Sequence, residues 1–445
     1  MKKTAALLLV LVLYASCVIM PLQVEAKSRT IIVPDDYSTI QEAINVANEG
    51  DTIFVKKGTY EGPINQTLVI DKTLAIVGEI ADSTIIRLYP AYNVTWILTQ
   101  SFYEFANAIT IVASNVKLSN LTVVASPGGE ISITGDRTQI MGNNITARIS
   151  IKGSHSNITE NILDLYNSLS LEGSFNTISR NHVRNLVLNS GNSNVISNNT
   201  CLSVNLRYAH QNLIYGNLLE TTDYHYSGIS LAYSDGNIIC RNKVTGFNFG
   251  LQLSFSLRNK IMANTIADSD TTINLGGSFN NTFFLNNFID NKYWYNNYVE
   301  DQFTDPWFRD NYPNTTVSTN FWDNGSSGNH WGNYNGSDTN SDGIGETPYI
   351  MKIAVHYFEA SEDEEVLCGK DNFPLISQVD INNVNVKLPE WPVTNLPETQ
   401  EPTPQRPETL PIELVAVAIL IVTTALVGVG LLVYVRKRKR EVEPS

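Results

Sequence analysis

From residue 138 onward the chain repeats one pattern of apolar and polar positions. The repeat reads TQIMGNNI, SNITENIL, NTISRNHV, NVISNNTC, NLIYGNLL, NIICRNKV, NKIMANTI and NTFFLNNF in chain order. Counting the first residue as zero, position +2 is always apolar, +5 is always asparagine and +7 is mostly apolar. Apolar residues that alternate with polar ones predict short strands with one buried face. The asparagines are Asn143, Asn161, Asn181, Asn199, Asn217, Asn242, Asn264 and Asn286.

The length of the repeat indicates the architecture. Successive segments start 18 to 25 residues apart, which is too short for most helical repeats and fits a coil of several short strands. The recurring asparagine is predicted to lie at a turn, where it tolerates left-handed backbone geometry and stacks amide on amide. We therefore predict an all-β fold, a right-handed parallel β-helix over residues 51–291. About eleven coils spaced about 4.8 Å apart would make a rod about 50 Å tall.

Residues 37–60, YSTIQEAINVANEGDTIFVKKGTY, combine a helix pattern with a strand pattern. Ser38 followed by Gln41 fits a capping box, and the apolar residues from Ile40 to Ala47 follow helical spacing. Gly50 is suited to end the helix in a left-handed turn. Because a solenoid exposes its core and its strand edges at each end, we predict an N-terminal cap over residues 27–50 with one amphipathic helix across the first coil.

These motifs resemble those of NosD-type β-helix proteins. The resemblance rests on residues 31–60, on the asparagine-centred repeats, and on FWDNGSSGNHWGNYNGSDTNSDGIGETPYI (321–350) before DNFPLI (371–376). It implies a pectin-lyase-like fold of the carbohydrate-binding and sugar-hydrolase class from residue 30 to about residue 377. It also implies copper handling in the maturation of nitrous oxide reductase. The fold hosts lyases, hydrolases, epimerases and non-catalytic surface proteins, so it does not decide the function.

The two ends of the chain predict an exported protein held at the cell membrane. Residues 1–26 place two lysines before an apolar run and a small-residue cleavage site, which is typical of a signal peptide. Residues 412–435 include 22 consecutive residues without a charge, enough for a transmembrane helix. The tail 436–445 begins RKRKR, and such a cluster stays cytoplasmic. We therefore expect a single-pass cell-membrane protein with its N-terminal domain outside the cytoplasm.

Two segments separate the predicted coil from the predicted membrane helix. Residues 386–411 contain seven prolines, which indicates an extended, semi-rigid stalk. Residues 292–385 are rich in aromatic residues and are predicted to form a C-terminal cap. Two interpretations of the tryptophans remain open, because flat rings can seal the end of the solenoid or stack on sugars. The tryptophans in question are Trp294, Trp307, Trp322 and Trp331.

The charge of the chain limits its partners. The chain carries −14, and because the signal peptide (+1) and residues 412–445 (+2) are positive, residues 27–411 carry −17. Nucleic acid is therefore excluded as a partner, since its binding requires a basic face. The acidic excess favours cations or a need for solubility. Ten N-x-Ser/Thr sequons between Asn65 and Asn335 predict a glycosylated surface.

The segment DTNSDGIGETPY, residues 338–349, resembles a calcium loop. Asp338, Asn340 and Asp342 alternate before a glycine that allows the turn, as in the first half of an EF-hand. The twelfth position is Tyr349 rather than the bidentate glutamate, so the loop is not an EF-hand. We predict a structural calcium ion held by Asp338, Asn340, Asp342 and Glu346, with a hydrated turn as the alternative.

Copper receives less support from the residues themselves. Outside the signal peptide the chain has six histidines, three cysteines and three methionines. Copper sites cluster such ligands, and no run of them has ligand spacing. Cys201 falls in the +7 core column, and Cys240 lies two coils further on, too far away for a disulfide.

One coil is longer than its neighbours. The coil of Asn217 is seven residues longer than the preceding coil and contains TTDYHYS. It is predicted to project Asp223, Tyr224, His225 and Tyr226, which supply an acid, a base and two rings. Loops on rigid scaffolds often carry function, although a tolerated insertion is the alternative. Other outward acids are sparse, and none reproduces a polygalacturonase or pectate-lyase signature.

The sequence therefore favours non-catalytic binding of a polysaccharide or envelope glycan at the cell surface. Two alternatives remain. One is a polysaccharide lyase, hydrolase or epimerase working around residues 221–226. The other is a NosD-like copper accessory protein.

Overall fold

The computed structural model describes residues 28–91, 93–97, 100–104, 106–125, 128–164, 167–222, 226–297, 320–355 and 364–384. All of them belong to the first of two compact units, Met1–Pro392 and Val393–Ser445. The predicted signal peptide, stalk, membrane helix and basic tail lie outside the described residues. Within the described ranges no helix is long and apolar enough to cross a membrane.

Parallel strands wind into a solenoid with three faces. Face 1 is a twelve-stranded parallel sheet. Thr30–Val33 precedes the first coil and each later strand opens a coil, so the described residues contain eleven complete coils. The strands of face 1 are Thr30–Val33, Thr52–Val55, Ala75–Gly78, Lys117–Ser119, Gln139–Met141, Asn157–Thr159, Thr177–Ser179, Val195–Ser197, Leu213–Tyr215, Ile238–Cys240, Lys260–Met262 and Thr282–Phe284.

Faces 2 and 3 form one 21-stranded sheet, because the strands His182–Asn189 and Thr200–Arg207 run through both faces. The other strands of face 2 are Gly58–Ile64, Thr84–Tyr89, Thr122–Ala125, Asn144–Ile145, Ile162–Leu163, Leu218–Glu220, Lys243–Thr245, Thr265–Ala267, Asn287–Ile289 and His330–Trp331. Those of face 3 are Leu68–Ile70, Asn107–Ile111, Glu130–Ile133, Arg148–Ile151, Ser168–Leu171, Ser227–Ala232, Phe249–Ser254, Thr271–Gly276 and Tyr293–Asn297.

The prediction of a right-handed parallel β-helix is confirmed. Two antiparallel hairpins accompany the coils. One pairs Asn93–Ile97 with Gln100–Glu104 between faces 2 and 3, and the other pairs Tyr349–Val355 with Glu364–Asp371. A short 3₁₀ helix covers Ala81–Ser83.

The inward positions of the coils form one core. The apolar residues at +2 of the repeat, from Ile140 to Phe283, are at most 1 % exposed. Their side chains point inward because successive side chains of a strand alternate between its two sides. The core is therefore the one that the repeat predicts.

An α-helix spans Ile40–Val46 beside the first coil. The predicted capping box is shifted by one residue, because Thr39 is the N-cap and Glu42 completes the box. Ser38 instead donates its hydroxyl to the Glu42 carboxylate at 2.9 Å. Ile40 is the first buried helical residue, so the cap immediately precedes it.

The helix also ends earlier than predicted. Its last turn closes at Ala47 rather than at Gly50. The Lys72 ammonium donates to the carbonyls of Ile44, Asn45 and Ala47 at 2.8–3.0 Å. The last carbonyls of the helix thus accept hydrogen bonds from a lysine of the first coil. In many helices a glycine in the left-handed conformation allows backbone amides to make these hydrogen bonds instead.

The asparagines at +5 stack as predicted. Each donates its side-chain amide to the carboxamide oxygen of the next one at 2.9–3.1 Å, from Asn143 to Asn286. Asn286 continues the ladder to Asn329 at 2.8 Å. Because the asparagines are at most 2 % exposed, the ladder satisfies amides that would otherwise be buried without partners.

The left-handed geometry was predicted at the wrong position. It belongs to the residue before each asparagine, with φ between 53° and 64°. The left-handed residue turns the chain, and the asparagine that follows it points its amide into the ladder. The left-handed residues are Gly142, Glu160, Arg180, Asn198, Gly216, Arg241, Ala263 and Leu285.

A second amide ladder was missed. It runs from Asn194 to Asn320 with side-chain amide contacts of 3.0–3.1 Å. Its members stand at position zero of the repeat, where six of the eight segments carry asparagine. The recurring asparagine at position zero could have predicted this second ladder from the sequence. Its members are Asn194, Asn212, Asn237, Asn259, Asn281 and Asn320.

Candidate functional site

The long loop lies at the corner between faces 2 and 3. Of its predicted site residues, Asp223, Tyr224 and His225 lie outside the described residues. Tyr226 is 38 % exposed, and its hydroxyl oxygen is 3.5 Å from Nη2 of Arg184. Arg184 lies two coils before the coil that carries Tyr226. The end of the loop therefore turns back along the corner, across the intervening coil.

Charged residues are spaced along this corner. The strand registers place Asp164, Arg184, Leu202 and Glu220 in one outward column of successive coils. Glu220 pairs with Lys243 at 2.8 Å. Three coils separate the carboxylates of Asp164 and Glu220, which is about 14 Å. Paired glycosidase carboxylates are about 5–9.5 Å apart, so these two do not form such a pair.

A row of uncharged polar side chains follows the outer side of face 3. We call these residues the polar row. The strand registers align them in one column that spans seven coils, interrupted only by Val187. Six intervals between coils give a length of about 29 Å. The members are Ser132, Ser150, Ser170, Asn205, Ser230 and Gln252, because the next residue of the column, Asn274, is buried.

The polar row is connected to the long loop. Ser227, which directly follows Tyr226, donates its hydroxyl to Oε1 of Gln252 at 2.9 Å. At the other end of the row, Glu130 and Arg148 stand two residues before Ser132 and Ser150. Burial raises the pKa of Glu130, while the nearby arginine opposes that rise. Hydroxyl and amide groups therefore make up the row itself, and charges flank it, with Glu130 and Arg148 near one end and the exposed Arg207 two residues after Asn205.

Two of the four tryptophans are part of the core. Trp322 and Trp331 are 2 % and 1 % exposed. Their rings pack on Phe283 and Phe288 of the last coil, with centroids 4.5 and 4.7 Å apart. These two tryptophans thus extend the core below the last coil and cannot stack on a sugar. Trp307 and the side chain of Trp294 lie outside the described residues.

The predicted calcium loop closes on its own polar groups. The Asp338 carboxylate accepts the backbone amides of Asp342 and Gly343 at 3.2 and 2.8 Å. Asn340 donates its side-chain amide to Asp342 at 3.0 Å. The Glu346 carboxylate instead accepts the hydroxyl and backbone amide of Thr339, and these bonds lower the pKa of Glu346. In the part of the chain that the structure describes, no three His, Cys, Asp or Glu side chains group closely enough to hold a metal ion.

The family of the chain follows from the sequence that forms these coils. The profile of the family described as periplasmic copper-binding protein (NosD) matches residues 110–336, half of the chain. The chain belongs to the NosD family. The match covers the coils from the third onward, the long loop and the whole polar row. No curated protein matches the chain.

Solved structures similar to this NosD-family chain include the Dettilon tailspike protein (gp208), at 14 % identity and a TM-score of 0.48. That match covers 59 % of this chain and 62 % of the tailspike. The mannuronan C-5 epimerase AlgE6 A-module of Azotobacter vinelandii has 12 % identity and a TM-score of 0.40, over 57 % of this chain and 89 % of that one. The PL6 polysaccharide lyase Pedsa3628 of Pseudopedobacter saltans has 12 % identity and a TM-score of 0.40, over 66 % and 90 %. At such identities the likeness concerns the fold alone.

The described residues do not assemble a copper site. The ring of His155 stacks on Phe175, with centroids 5.2 Å apart, and Nδ1 of His210 accepts the backbone amide of Asp235. Cys240 and Met262 are neighbours on adjacent strands of face 1 and offer two soft sulfur ligands. Among the described residues no three His, Cys, Asp or Glu side chains come together around this pair or elsewhere. The fit to copper therefore fails on the described part of the chain.

Proposed function

We propose that this NosD-family protein binds a neutral polysaccharide along the polar row of face 3 without cleaving it. The observation that carries the proposal is the absence of charge from the row. Residues 27–411 carry −17, yet the aligned outward column offers hydroxyl and amide groups over about 29 Å. Such groups both donate and accept hydrogen bonds, as sugar hydroxyls do.

The geometry of the row suits a polymer. Its groups repeat at the coil spacing, about 4.8 Å, so a regular chain meets the same kind of partner at every coil. The long loop stands at the edge of the row, because Ser227 connects it to Gln252. Tyr226 presents a partly exposed ring there. In this proposal Asp223, Tyr224, His225 and Tyr226 contact the glycan from the side of the row.

The proposed location is the outer surface of the cell. The signal peptide, stalk and membrane helix predicted from the sequence would keep face 3 outside the cytoplasm. There the row would meet the polysaccharides of the envelope or of the surroundings. This part of the proposal rests on the sequence of residues 1–26 and 386–445.

The test compares charge-introducing variants on two faces. The full chain in detergent is passed over immobilised neutral and acidic polysaccharides, and retention and new chain ends are measured together. Gln252→Glu and Ser230→Asp place a carboxylate in the row, and we expect at least 10-fold weaker retention on the neutral polysaccharide. Thr200→Asp places the same charge on the exposed outer side of face 2 and should leave retention unchanged. Equal retention by all variants would refute the role of the row.

The same experiment tests the catalytic alternative. The described acids Asp164 and Glu220 are too far apart to act as a pair, so a catalytic site at this corner would depend on Asp223. New reducing ends or unsaturated products that disappear in Asp223→Asn would identify an enzyme. Retention without products supports binding alone.

Family membership favours copper delivery as a second candidate. Its test is a titration of the purified full chain with Cu(I) and Cu(II). Stoichiometric binding that survives competition with a weak chelator would support delivery. Weak, non-stoichiometric uptake would agree with the scattered ligands of the described residues.

A further inference from the structure

An apolar strip on the outside of face 1 is excluded from solvent. Leu213, Cys240 and Met262 point away from the core on neighbouring strands, yet they are only 5 %, 0 % and 5 % exposed. Close packing within the column accounts for part of this burial, because the outward Thr159 and Ser179 of the same column are 2 % and 6 % exposed. The strip differs from them because its side chains are apolar. All the described apolar residues of this cluster belong to face 1 itself. Its remaining members, which are partly buried, are Val195, Tyr215, Ile238 and Phe284.

The described chain ends beside this strip. After the last coil the chain reverses direction and runs along the corner between faces 1 and 2. The side chain of Asn287 accepts the backbone amide of Val379 at 2.7 Å and donates to its carbonyl at 2.8 Å. Two coils nearer the N-terminus, Nη2 of Arg241 donates to the carbonyl of Val384 at 2.5 Å. The segment therefore runs towards the N-terminal end of the rod.

Arg241 connects the end of the described chain to the strip. Its Nη1 donates to the Tyr215 hydroxyl at 2.8 Å, and its guanidinium lies 5.6 Å from the centroid of the Tyr215 ring. Tyr215 is a member of the strip and lies one coil further towards the N-terminus. The next residues of the chain thus start beside Cys240 and Tyr215 of the strip.

We propose that residues 385–392, NVKLPEWP, form a strap that docks on this strip through Val386, Leu388 and Trp391. Eight extended residues reach about 26 Å, whereas the distance from the coil of Arg241 to that of Val195 is about 10 Å. The two prolines hold the backbone extended. Beyond Val195 the outward column turns polar at Thr177, so the strap ends there.

In this proposal the docked segment includes the first residues of the predicted stalk, 386–392. The strap also closes the outer side of face 1 to other partners.

The native thiol of Cys240 reports on the strap. Burial raises the pKa of Cys240 to about 12, which keeps the reactive thiolate scarce. The full chain in detergent is treated with a maleimide, and the labelled cysteine is identified by peptide mass. In a Leu388→Ser, Trp391→Ser variant we expect labelling of Cys240 to be at least 10-fold faster. Leu396→Ser, outside the strap, should leave the rate unchanged, and Cys201 in the core is the internal reference.

Proteolysis gives an independent measurement. Between Asp371 and Val435 the only basic residues are Lys387 and Arg406, and Arg406 precedes a proline that blocks trypsin. Cleavage after Lys387 should be slow in the native chain and at least 10-fold faster in Leu213→Asp, which places a charge in the strip. Thr200→Asp on face 2 is the matched control. If native Cys240 reacts as fast as in the strap variant and Lys387 is cleaved equally fast in all chains, the strap does not exist.

Discussion

Asn329 donates its backbone amide to Oδ2 of Asp371 at 2.8 Å, and its side-chain amide lies 3.4 Å from the same oxygen. Asn329 is the last asparagine of the +5 ladder, so a carboxylate ends a chain of amides that all donate in one direction. Trp331 donates its indole N–H to that oxygen at 2.9 Å. Asp371 is fully buried, and this burial raises its pKa to about 6.

The ionisation of Asp371 predicts a pH dependence of stability. An acid whose pKa is higher in the folded chain than in the unfolded chain holds its proton longer when folded. Stability should therefore fall as the pH rises from about 4 to about 6, by about 3 kcal/mol from this residue. The measurement is the urea midpoint of unfolding at pH 4.5 and at pH 7. Asp371→Asn, which cannot ionise, should remove this part of the difference.

Asp380→Asn is the control for that experiment, because Asp380 is exposed on the same C-terminal segment. It should retain the pH dependence of the parent chain. If Asp371→Asn and Asp380→Asn show the same pH dependence, Asp371 does not titrate in this range.

The ladders predict a large loss of stability when one amide is removed. Asn217 donates to the Ile196 carbonyl and to Asn242, and it accepts the backbone and side-chain amides of Asn199, at 2.9–3.0 Å. Asn217→Ala leaves these buried groups without partners, so we expect a loss of about 4 kcal/mol in the free energy of unfolding. Urea unfolding measures it. Asn335→Ala, at an exposed position, should change it by less than about 0.5 kcal/mol. Similar values for both variants would contradict the stabilising role of the ladder.

Much of the fold could be predicted because the coils use the same column in every repeat. The apolar column at +2 and the asparagines at +5 each occur eight times, so their shared burial is visible without coordinates. The helix boundaries were less accurate. The position of the N-cap depends on which helical residue is the first to be buried in the core. The carbonyls at the end of the helix accept hydrogen bonds from Lys72, which is 25 residues away from Ala47.

The candidate site was harder to predict from the sequence than the fold. The polar row has no single motif, because its serines, its asparagine and its glutamine align only when the strand registers are known. The inserted loop could be recognised by its length, but the contact between Tyr226 and Arg184 crosses 42 residues. The strip on face 1 was missed for a similar reason, since Cys240 was considered only as a partner for a disulfide.

A close approach between two coils predicts that replacing Gly173 by alanine destabilises the fold. A Cβ atom on Gly173 would lie 2.0 Å from the carbonyl oxygen of Gly153 in the coil before. Gly173→Ala must therefore push two coils apart, and we expect a loss of about 3 kcal/mol. At Gly276 the nearest atom to an added Cβ would be 3.9 Å away, so Gly276→Ala is the matched control. Thermal unfolding of both variants gives the comparison, and equal midpoints would show that the coils adjust without cost.

The calcium loop provides the last prediction. Asp338, Asp342 and Glu346 do not surround one point in the structure, so we propose that the loop rearranges to bind calcium through these residues and Asn340. The expected affinity is the weak one of many extracellular sites, about 10⁻⁴–10⁻³ M. At 10 mM calcium, binding to the folded chain alone would then stabilise it by about 1–3 kcal/mol. Unfolding in calcium and in a chelator measures this difference, and Asp338→Asn with Asp342→Asn should abolish it.

Glu346 separates two arrangements of this loop. Its carboxylate is bound to Thr339, so it must leave that residue to become a ligand. If it does, Glu346→Gln should weaken the effect of calcium, and Asp380→Asn should not. If Glu346→Gln leaves the effect unchanged, the ion is held by Asp338, Asn340 and Asp342 without it. If calcium does not stabilise even the parent chain, the hydrogen bonds within the loop are sufficient, and residues 338–346 form a hydrated turn.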